Sequence, residues 1–486
     1  MLIYLSMLLP MLMGLALPLF RFKNARARSI YVEGAVLLTS ALVWIALGTR
    51  TETRLDLFSI MDGLTLSFRL DGPACIFSGL VSILWPLASL YAFEYMEHEE
   101  RPVSFFSFYT ITYGVTLAVS MAANLFTLYV FYECLTLITL PLVIHKKDAK
   151  SIRAGRRYLY FSISGAAMAF IALVFTLHYG NGTDFTLGGM LDMARVSGHE
   201  TVLQIVFLLA FIGFGTKAAV FPMFAWLPLA SVAPTPVTAL LHAVAVVNTG
   251  AYAVLRVIYY AFGTSFLAGT PVHVTVLLLS CFTVLFGSAM AVREQHFKRR
   301  LAYSTISNLS YMLMGAALMT SDGMVGSLSH MVCHGVMKIT LFYCAGAILV
   351  RTKNEYVQDL RGLARSMPFT CGVIVLSSVA MVGIPPLCGF VSKWNLLTAA
   401  ADTLHWTGTV SVITIIISAV LTAVYLFSVS MPMYFSPAQH PAAENKDPGI
   451  RMKLPLAVLS VLMIALGIFS EPLVTFLRQI STGVIF

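Results

Sequence analysis

The sequence predicts an all-α membrane protein with about fourteen transmembrane helices. Hydrophobic residues make up 58% of the chain and charged ones 11%, against roughly 25% charge in an average soluble domain. Apolar windows of about 20 residues, the length that crosses a bilayer, recur from end to end. Between them the basic residues alternate between dense and sparse loops, as expected of a chain threaded back and forth through a membrane.

The windows fall at 1–20, 30–48, 73–95, 105–121, 123–144, 158–178, 202–229, 237–262, 271–291, 301–319, 327–349, 370–401, 408–433 and 454–476. The first has no basic residue ahead of it, and Arg21, Lys23, Arg26 and Arg28 come after it. That order fits a retained helix better than a cleaved signal peptide. Loops after odd-numbered spans hold 22 of the 31 Lys and Arg residues, and the opposite set holds Arg50, Arg54, Arg69, Arg195 and Arg478. The asymmetry places both termini outside an inner, cytoplasmic membrane crossed many times. Glu94, Glu97, Glu99 and Glu100 outnumber Arg101 in the loop after span 3, but acids carry little topological weight.

The net charge of +9 thus reflects membrane orientation and not nucleic-acid binding. Seven cysteines are scattered through apolar stretches with no C-x-x-C pair, so neither an iron–sulfur cluster nor a zinc site is supported. The longest segments outside the spans, 50–71 and 181–200, are too short for a soluble domain, and no phosphate-cradling glycine pattern is present. No cofactor is expected in this chain.

Ionisable residues inside the spans are the informative ones, because hydrocarbon tolerates them only where they work. Lys217 lies about 15 residues into span 7, followed by Phe221-Pro222 and by Pro228. Neither proline donates a backbone hydrogen bond, so this span is expected to bend at Pro222 and Pro228. The arrangement recurs in span 12, where Pro385-Pro386 precedes Lys393. Two broken spans in separate halves, each with a lysine, point to a transporter built from repeats. Glu133 stands alone in the middle of span 5, and a carboxylate there implies a cationic partner or proton exchange. His330, His334 and Lys338 follow one helix face over about 12 Å, a row able to pass protons through intervening water. Two histidines without a nearby carboxylate make a metal site the weaker reading. For Lys217 and Lys393 the bland alternative is snorkelling to the surface; for His242, near the start of span 8, it is plain core packing. Arg256 reads as an interface anchor and His145 as the basic edge of span 5.

With these residues in view, the chain resembles the antiporter-like proton-translocating subunits shared by respiratory complex I, membrane-bound hydrogenases and Mrp-type cation/proton antiporters. The likeness is carried by Phe131-Tyr132-Glu133-Cys134-Leu135-Thr136, by Gly215-Thr216-Lys217-Ala218 through Trp226-Leu227-Pro228, and by the Pro234 to Ala243 stretch around His242. It continues in Lys298-Arg299-Arg300-Leu301 to Asn308, in His330 to Lys338, and in Gly383 to Lys393.

The resemblance implies fourteen core helices, two inverted five-helix repeats and broken helices 7 and 12. Helices 1–3 would occupy 1–104, the repeats 105–262 and 271–433, and helix 14 the segment 454–486. It implies that Glu133 pairs with Lys217, that Lys338 and its histidines form a central relay, and that Lys393 is the terminal proton group. Implied partners are homologous antiporter-like subunits, small membrane subunits and a redox module of hydrogenase or quinone-reductase type. Three departures stand out. Asn248 replaces the bridging lysine common in helix 8, leaving the link to water, His242 and Asn248; His296 replaces an acid ahead of helix 10; and the long lateral helix of the largest relative is not expected here.

The expected function is proton translocation through a Glu/Lys/His relay in a redox-driven membrane complex, without catalysis in this chain itself. Mrp-type Na⁺ or K⁺ exchange for protons is the alternative, and a non-conducting scaffold the third reading.

Overall fold

The structure, a computed structural model, describes residues 2–49, 54–61, 64–403, 405–437 and 446–484. Met1 of the first span, Arg50 of the sparse loops and the last two residues of the 454–486 segment lie outside them. The described residues are mostly helical: α1 (Leu2–Ala16), α2 (Ala25–Thr49), α3 (Gly72–Tyr95), α4 (Pro102–Ser120), α5 (Leu125–Val143), α6 (Ala149–Tyr179), α7 (Met193–Val196), α8 (Glu200–Gly215), α9 (Trp226–Ala230) and α10 (Thr235–Ala243). There follow α11 (Val246–Arg256), α12 (Thr264–Leu267), α13 (Pro271–Arg293), α14 (Phe297–Ala317), α15 (Ser321–Thr352), α16 (Pro368–Val382), α17 (Cys388–Ala401), α18 (Trp406–Phe435), α19 (Ile450–Ile468) and α20 (Glu471–Ser481).

Side chains that satisfy free backbone N–H groups set several of these starts. Asn124 accepts from Thr127 N at 2.7 Å to open α5, and Asp148 from Ser151 N at 2.7 Å to open α6. The Asp148 cap explains why α6 begins at Ala149, ahead of the apolar window at 158. Its first turns carry Lys150, Arg153, Arg156 and Arg157.

One departure from the all-helical expectation is an antiparallel pair, β1 (Leu55–Met61) with β2 (Leu64–Phe68). Alternation of Leu and Phe with polar residues, on either side of Asp62-Gly63 in the sequence, is a hairpin signal.

Eleven helices or helical stretches among the described residues are long and apolar enough to cross a membrane. Three expected spans fall outside that set. Span 10 corresponds to α14, which carries Lys298-Arg299-Arg300 in its first turn and Ser304, Thr305, Ser307, Asn308 and Ser310 beyond it, and spans 7 and 12 are split. Helix α8 stops at Gly215 and helical structure resumes only at Trp226. Between α16 and α17, residues 383–387 are non-helical and contain Pro385 and Pro386. Pro222 lies within the first break, as expected. Pro228 does not break a helix: it is the third residue of α9, in the first turn, where no intrahelical donor is required. A break not foreseen separates α10 from α11 at Val244-Ala245, two residues past His242.

The loops sort onto two ends of the bundle. On one, Glu97 pairs with Arg451 at 2.9 Å, Glu99 with Lys146 at 3.6 Å, and Glu94 accepts from Gly449 N. Glu97 and Glu99 after span 3 thus pair with basic residues of loops on their own face. Nearby, His296 bonds to Glu355 and holds its carboxyl below the usual carboxylate range. On the other end Arg54 pairs with Asp184 at 2.8 Å, and Thr186 N reaches the Tyr260 carbonyl.

Close helix crossings depend on glycine where a Cβ has no space. At Gly389, in the first turn of α17, a Cβ would lie 1.8 Å from the Ala380 carbonyl oxygen of α16; Gly34 on α2 has nothing within 4 Å. Overpacking of this kind costs about 1–3 kcal/mol. Gly389→Ala should therefore lower the thermal midpoint of the purified protein by several degrees while Gly34→Ala leaves it unchanged; equal midpoints would contradict the packing.

Candidate functional site

Lys217 sits two residues beyond the end of α8, in the first break, and is 1% exposed. Gly250 of α11 lies against it: a Cβ there would come within 2.4 Å of Ala218 N and 2.9 Å of Lys217 Cβ. The ammonium donates to the Tyr132 carbonyl, stands 3.4 Å from the centroid of the Tyr132 ring, and lies 3.8 Å from Glu133 Oε1. Tyr132 in turn donates its hydroxyl to the Phe214 carbonyl at 2.7 Å, near the end of α8. One residue of α5 thereby holds the broken end, the lysine and the neighbouring acid together. The Glu133 side chain is 24% exposed, so one side of the pair remains open to whatever lies against α5.

His242 is fully buried at the end of α10 with its ring 4.8 Å from that of Phe342, one turn beyond Lys338 on α15. Asn248 donates from Nδ2 to the Ala243 carbonyl at 2.9 Å. At the position where the resemblance anticipates a lysine, an amide thus caps the end of a half-helix and satisfies a carbonyl that the Val244-Ala245 break leaves free.

His330, His334 and Lys338 are all fully buried on α15. The two imidazoles lie 6.1 Å apart, and His330 Nδ1 is 3.0 Å from Ser392 Oγ on α17. Lys338 donates to Ser304 Oγ at 2.6 Å and to the Leu301 carbonyl at 3.1 Å; Ser304 is bonded to the Tyr425 hydroxyl at 2.5 Å. Lys393 does not snorkel. At 7% exposure it turns back to donate to the Met381 and Val382 carbonyls, at 2.8 and 3.1 Å, which the second break leaves free. Its ammonium is 5.5 Å from the ring centroid of Tyr311, which also neighbours His330 at 5.4 Å.

Lys217 thus meets a carboxylate, whereas Lys338 and Lys393 have none within ion-pair distance among the described residues. Several fully buried atoms also lack a protein hydrogen-bond partner: both nitrogens of His242 and of His334, His330 Nε2 and Asn248 Oδ1. Buried polar atoms are rarely left so, and water is the ordinary means of satisfying them. Among the described residues no cluster of three metal-ligating side chains is found.

Tyr132, Ser304 and Ser392 stand inside the motifs quoted above without an expected role, and Tyr311 and Tyr425 lie outside them. A signal was available in α14, where Ser304, Asn308 and Tyr311 share one face at helical spacing. Arg256 requires correction. It is fully buried, not an interface anchor, and its guanidinium grips Asp71 with both terminal nitrogens, Nη1 at 2.8 Å from Oδ2. Its Nε donates to the Tyr252 hydroxyl at 2.9 Å. Asp71 lies 185 positions away, so the pairing left no trace in local spacing. His145 is at the edge of α5 as expected, yet buried, with Nε2 2.8 Å from the Glu100 carbonyl oxygen.

Removing one partner of a buried pair strands the other, at a cost of about 3–5 kcal/mol. Asp71 also caps α3 by accepting from Ala74 N at 3.2 Å, a role asparagine can keep, so Asp71→Asn should destabilise the purified protein more than the double change Asp71→Asn/Arg256→Met. A thermal melt showing the double variant to be the weaker would refute this account of the pair.

Residues 122–422 match the family described as NADH:quinone oxidoreductase/Mrp antiporter, TM. NADH-quinone oxidoreductase subunit N of Desulforudis audaxviator is 32% identical over 422 residues, covering 82% of this chain and 80% of that protein. One component of a probable K(+)/H(+) antiporter of Rhizobium meliloti is 29% identical over 94% of this chain, which spans 46% of that longer protein. In the solved Mrp complex from Dietzia sp. DQ12-45-1b, one chain superposes with a TM-score of 0.85 at 25% identity, over all of this chain and 52% of its own length. The match across well over half of its residues, together with a fold that superposes along its whole length, makes the chain an antiporter-like membrane subunit of the NADH:quinone oxidoreductase/Mrp antiporter transmembrane family.

Proposed function

We propose that this chain translocates protons as one subunit of a redox-driven complex in the inner membrane, with both termini outside. The observation that carries the reading is Lys217 in a helix break, 3.8 Å from the carboxylate of Glu133, which is itself open on one side. Opposite charges about 4 Å apart at an effective dielectric of ~20 attract by about 4 kcal/mol. Burial favours the neutral amine, while the carboxylate favours the ammonium. A change of charge in a neighbouring protein packed on α5 that draws Glu133 away therefore drives the Lys217 proton onward.

The route runs through water, His242 and Asn248 to His334 and Lys338, and through His330 to Lys393. The unpartnered imidazole nitrogens and Asn248 Oδ1 support water in those gaps. Ser304 and the carbonyls at the second break hold Lys338 and Lys393 without a fixed counter-charge, which suits groups that give up a proton. Fourteen crossings with two inverted repeats, 105–262 and 271–433, between helices 1–3 in 1–104 and helix 14 in 454–486, fit the two split spans. Partners of this reading are sister antiporter-like subunits, small membrane subunits and a redox module of quinone-reductase or hydrogenase type. The likeness to oxidoreductase subunit N supports the redox drive. The Mrp resemblance supports the second reading, exchange of Na⁺ or K⁺ for protons.

Lys217→Met in the assembled complex, reconstituted into vesicles, should abolish proton movement at normal assembly; undiminished movement would end the proposal. Movement that requires an electron donor supports the pump, and movement that requires Na⁺ or K⁺ without a donor supports exchange.

A further inference from the structure

Glu33 is an intramembrane carboxylate that the relay above does not use. It stands in the apolar helix α2, half buried, and accepts a hydrogen bond from Ser89 Oγ of α3. Hydrocarbon makes such a carboxylate costly unless it has a task. One turn from Ser89, Trp85 of α3 packs its indole against the ring of Tyr109 on α4, with 5.5 Å between centroids. Tyr109 and Tyr343 are both fully buried, and neither hydroxyl has a hydrogen-bond partner in the protein. Tyr343 belongs to α15, the helix that carries Lys338, and its ring stacks on that of Tyr91 at 3.9 Å.

Depth orders these groups. At 1.5 Å per residue, Glu33, Ser89, Tyr109 and Tyr343 lie about 9–14 Å from the ends of their helices at Ala25, Tyr95, Pro102 and Thr352. Those ends all face the side of the bundle rich in basic loops. Lys338 lies about 21 Å from Thr352, one further step inward.

We propose that Glu33 is a proton-uptake group on the basic-loop side, handing protons by way of water at the Tyr109 and Tyr343 hydroxyls toward Lys338. A proton leaves a water at the Glu33 carboxylate, neutralises it, and departs to the next water, so charge and atoms balance without a further reactant. This rests on the translocation reading above and names the point at which protons enter the relay, whose onward movement the Glu133 and Lys217 pair controls.

The test uses the assembled complex in vesicles, with a potassium gradient and valinomycin as the driving force and a trapped pH dye as the readout. Glu33→Gln keeps the volume and the acceptor for Ser89 but cannot carry a proton, and should slow proton flux at least tenfold. Glu33→Asp should restore most of it, and Tyr109→Phe/Tyr343→Phe should slow it several-fold. Wild-type flux in Glu33→Gln overturns the proposal, as does equal loss in the Gln and Asp variants, which would make Glu33 a structural group. Should the Gln chain fail to assemble, the double Phe variant takes its place, and unchanged flux again overturns the proposal. Lys217→Met separates the two claims: full flux in that variant defeats the translocation reading itself, whereas its loss alongside wild-type flux in Glu33→Gln defeats only the role of Glu33.

Discussion

An interrupted helix inside hydrocarbon is the constraint on which the rest of this structure depends. Every break leaves carbonyls and N–H groups that lipid cannot satisfy, so the break must be buried in protein and its free groups must find partners there. In this chain the partners are polar side chains of the site itself. Lys393 donates to the Met381 and Val382 carbonyls, and Asn248 to that of Ala243. At the first break the relation is less direct. Lys217 occupies the unwound segment but donates to Tyr132 of α5, and the Tyr132 hydroxyl reaches back to Phe214. At the breaks beside Lys217 and Lys393, backbone irregularity and buried charge occur together, whereas the Val244-Ala245 break is served by a neutral amide and Lys338 lies in an unbroken helix.

The two lysines beside breaks differ in one respect that matters for chemistry. Lys217 has a carboxylate neighbour, and that neighbour is the one member of the site with substantial exposure. Lys338 and Lys393 are held by hydroxyl and carbonyl oxygens, which stabilise an ammonium less than a full negative charge does. A proton displaced from the paired lysine therefore meets groups whose hold on it is set by neutral dipoles and by water. The buried Arg256–Asp71 pair behaves otherwise: it is two-pronged, and Tyr252 beside Arg256 and Arg69 beside Asp71 add to its hold.

What the sequence made legible followed from local cues. Charge in apolar windows singled out Glu133, Lys217, Lys338 and Lys393, and proline placed the breaks near Lys217 and Lys393. What it concealed was long-range or lacked a marker. Asp71 meets Arg256 across 185 positions, and the Val244-Ala245 break has neither Pro nor Gly to mark it; the Ala243 carbonyl there is taken by Asn248. Pro228 misled because a proline marks a helix start as readily as a helix break. The hydroxyls around Lys338 come from α14 and α18, far from it in sequence, and the strands 55–61 and 64–68 are too short to stand out beside the longer apolar runs.

The central claim is that buried acid–base groups communicate sideways through water across the middle of the molecule. An electron cryo-microscopy map of the assembled complex, at a resolution that shows ordered water, tests it most directly. The account predicts water density at the nitrogens of His242 and His334 and at Asn248 Oδ1, continuous from Lys217 to Lys338. Tight apolar packing with no density between those two lysines would contradict it.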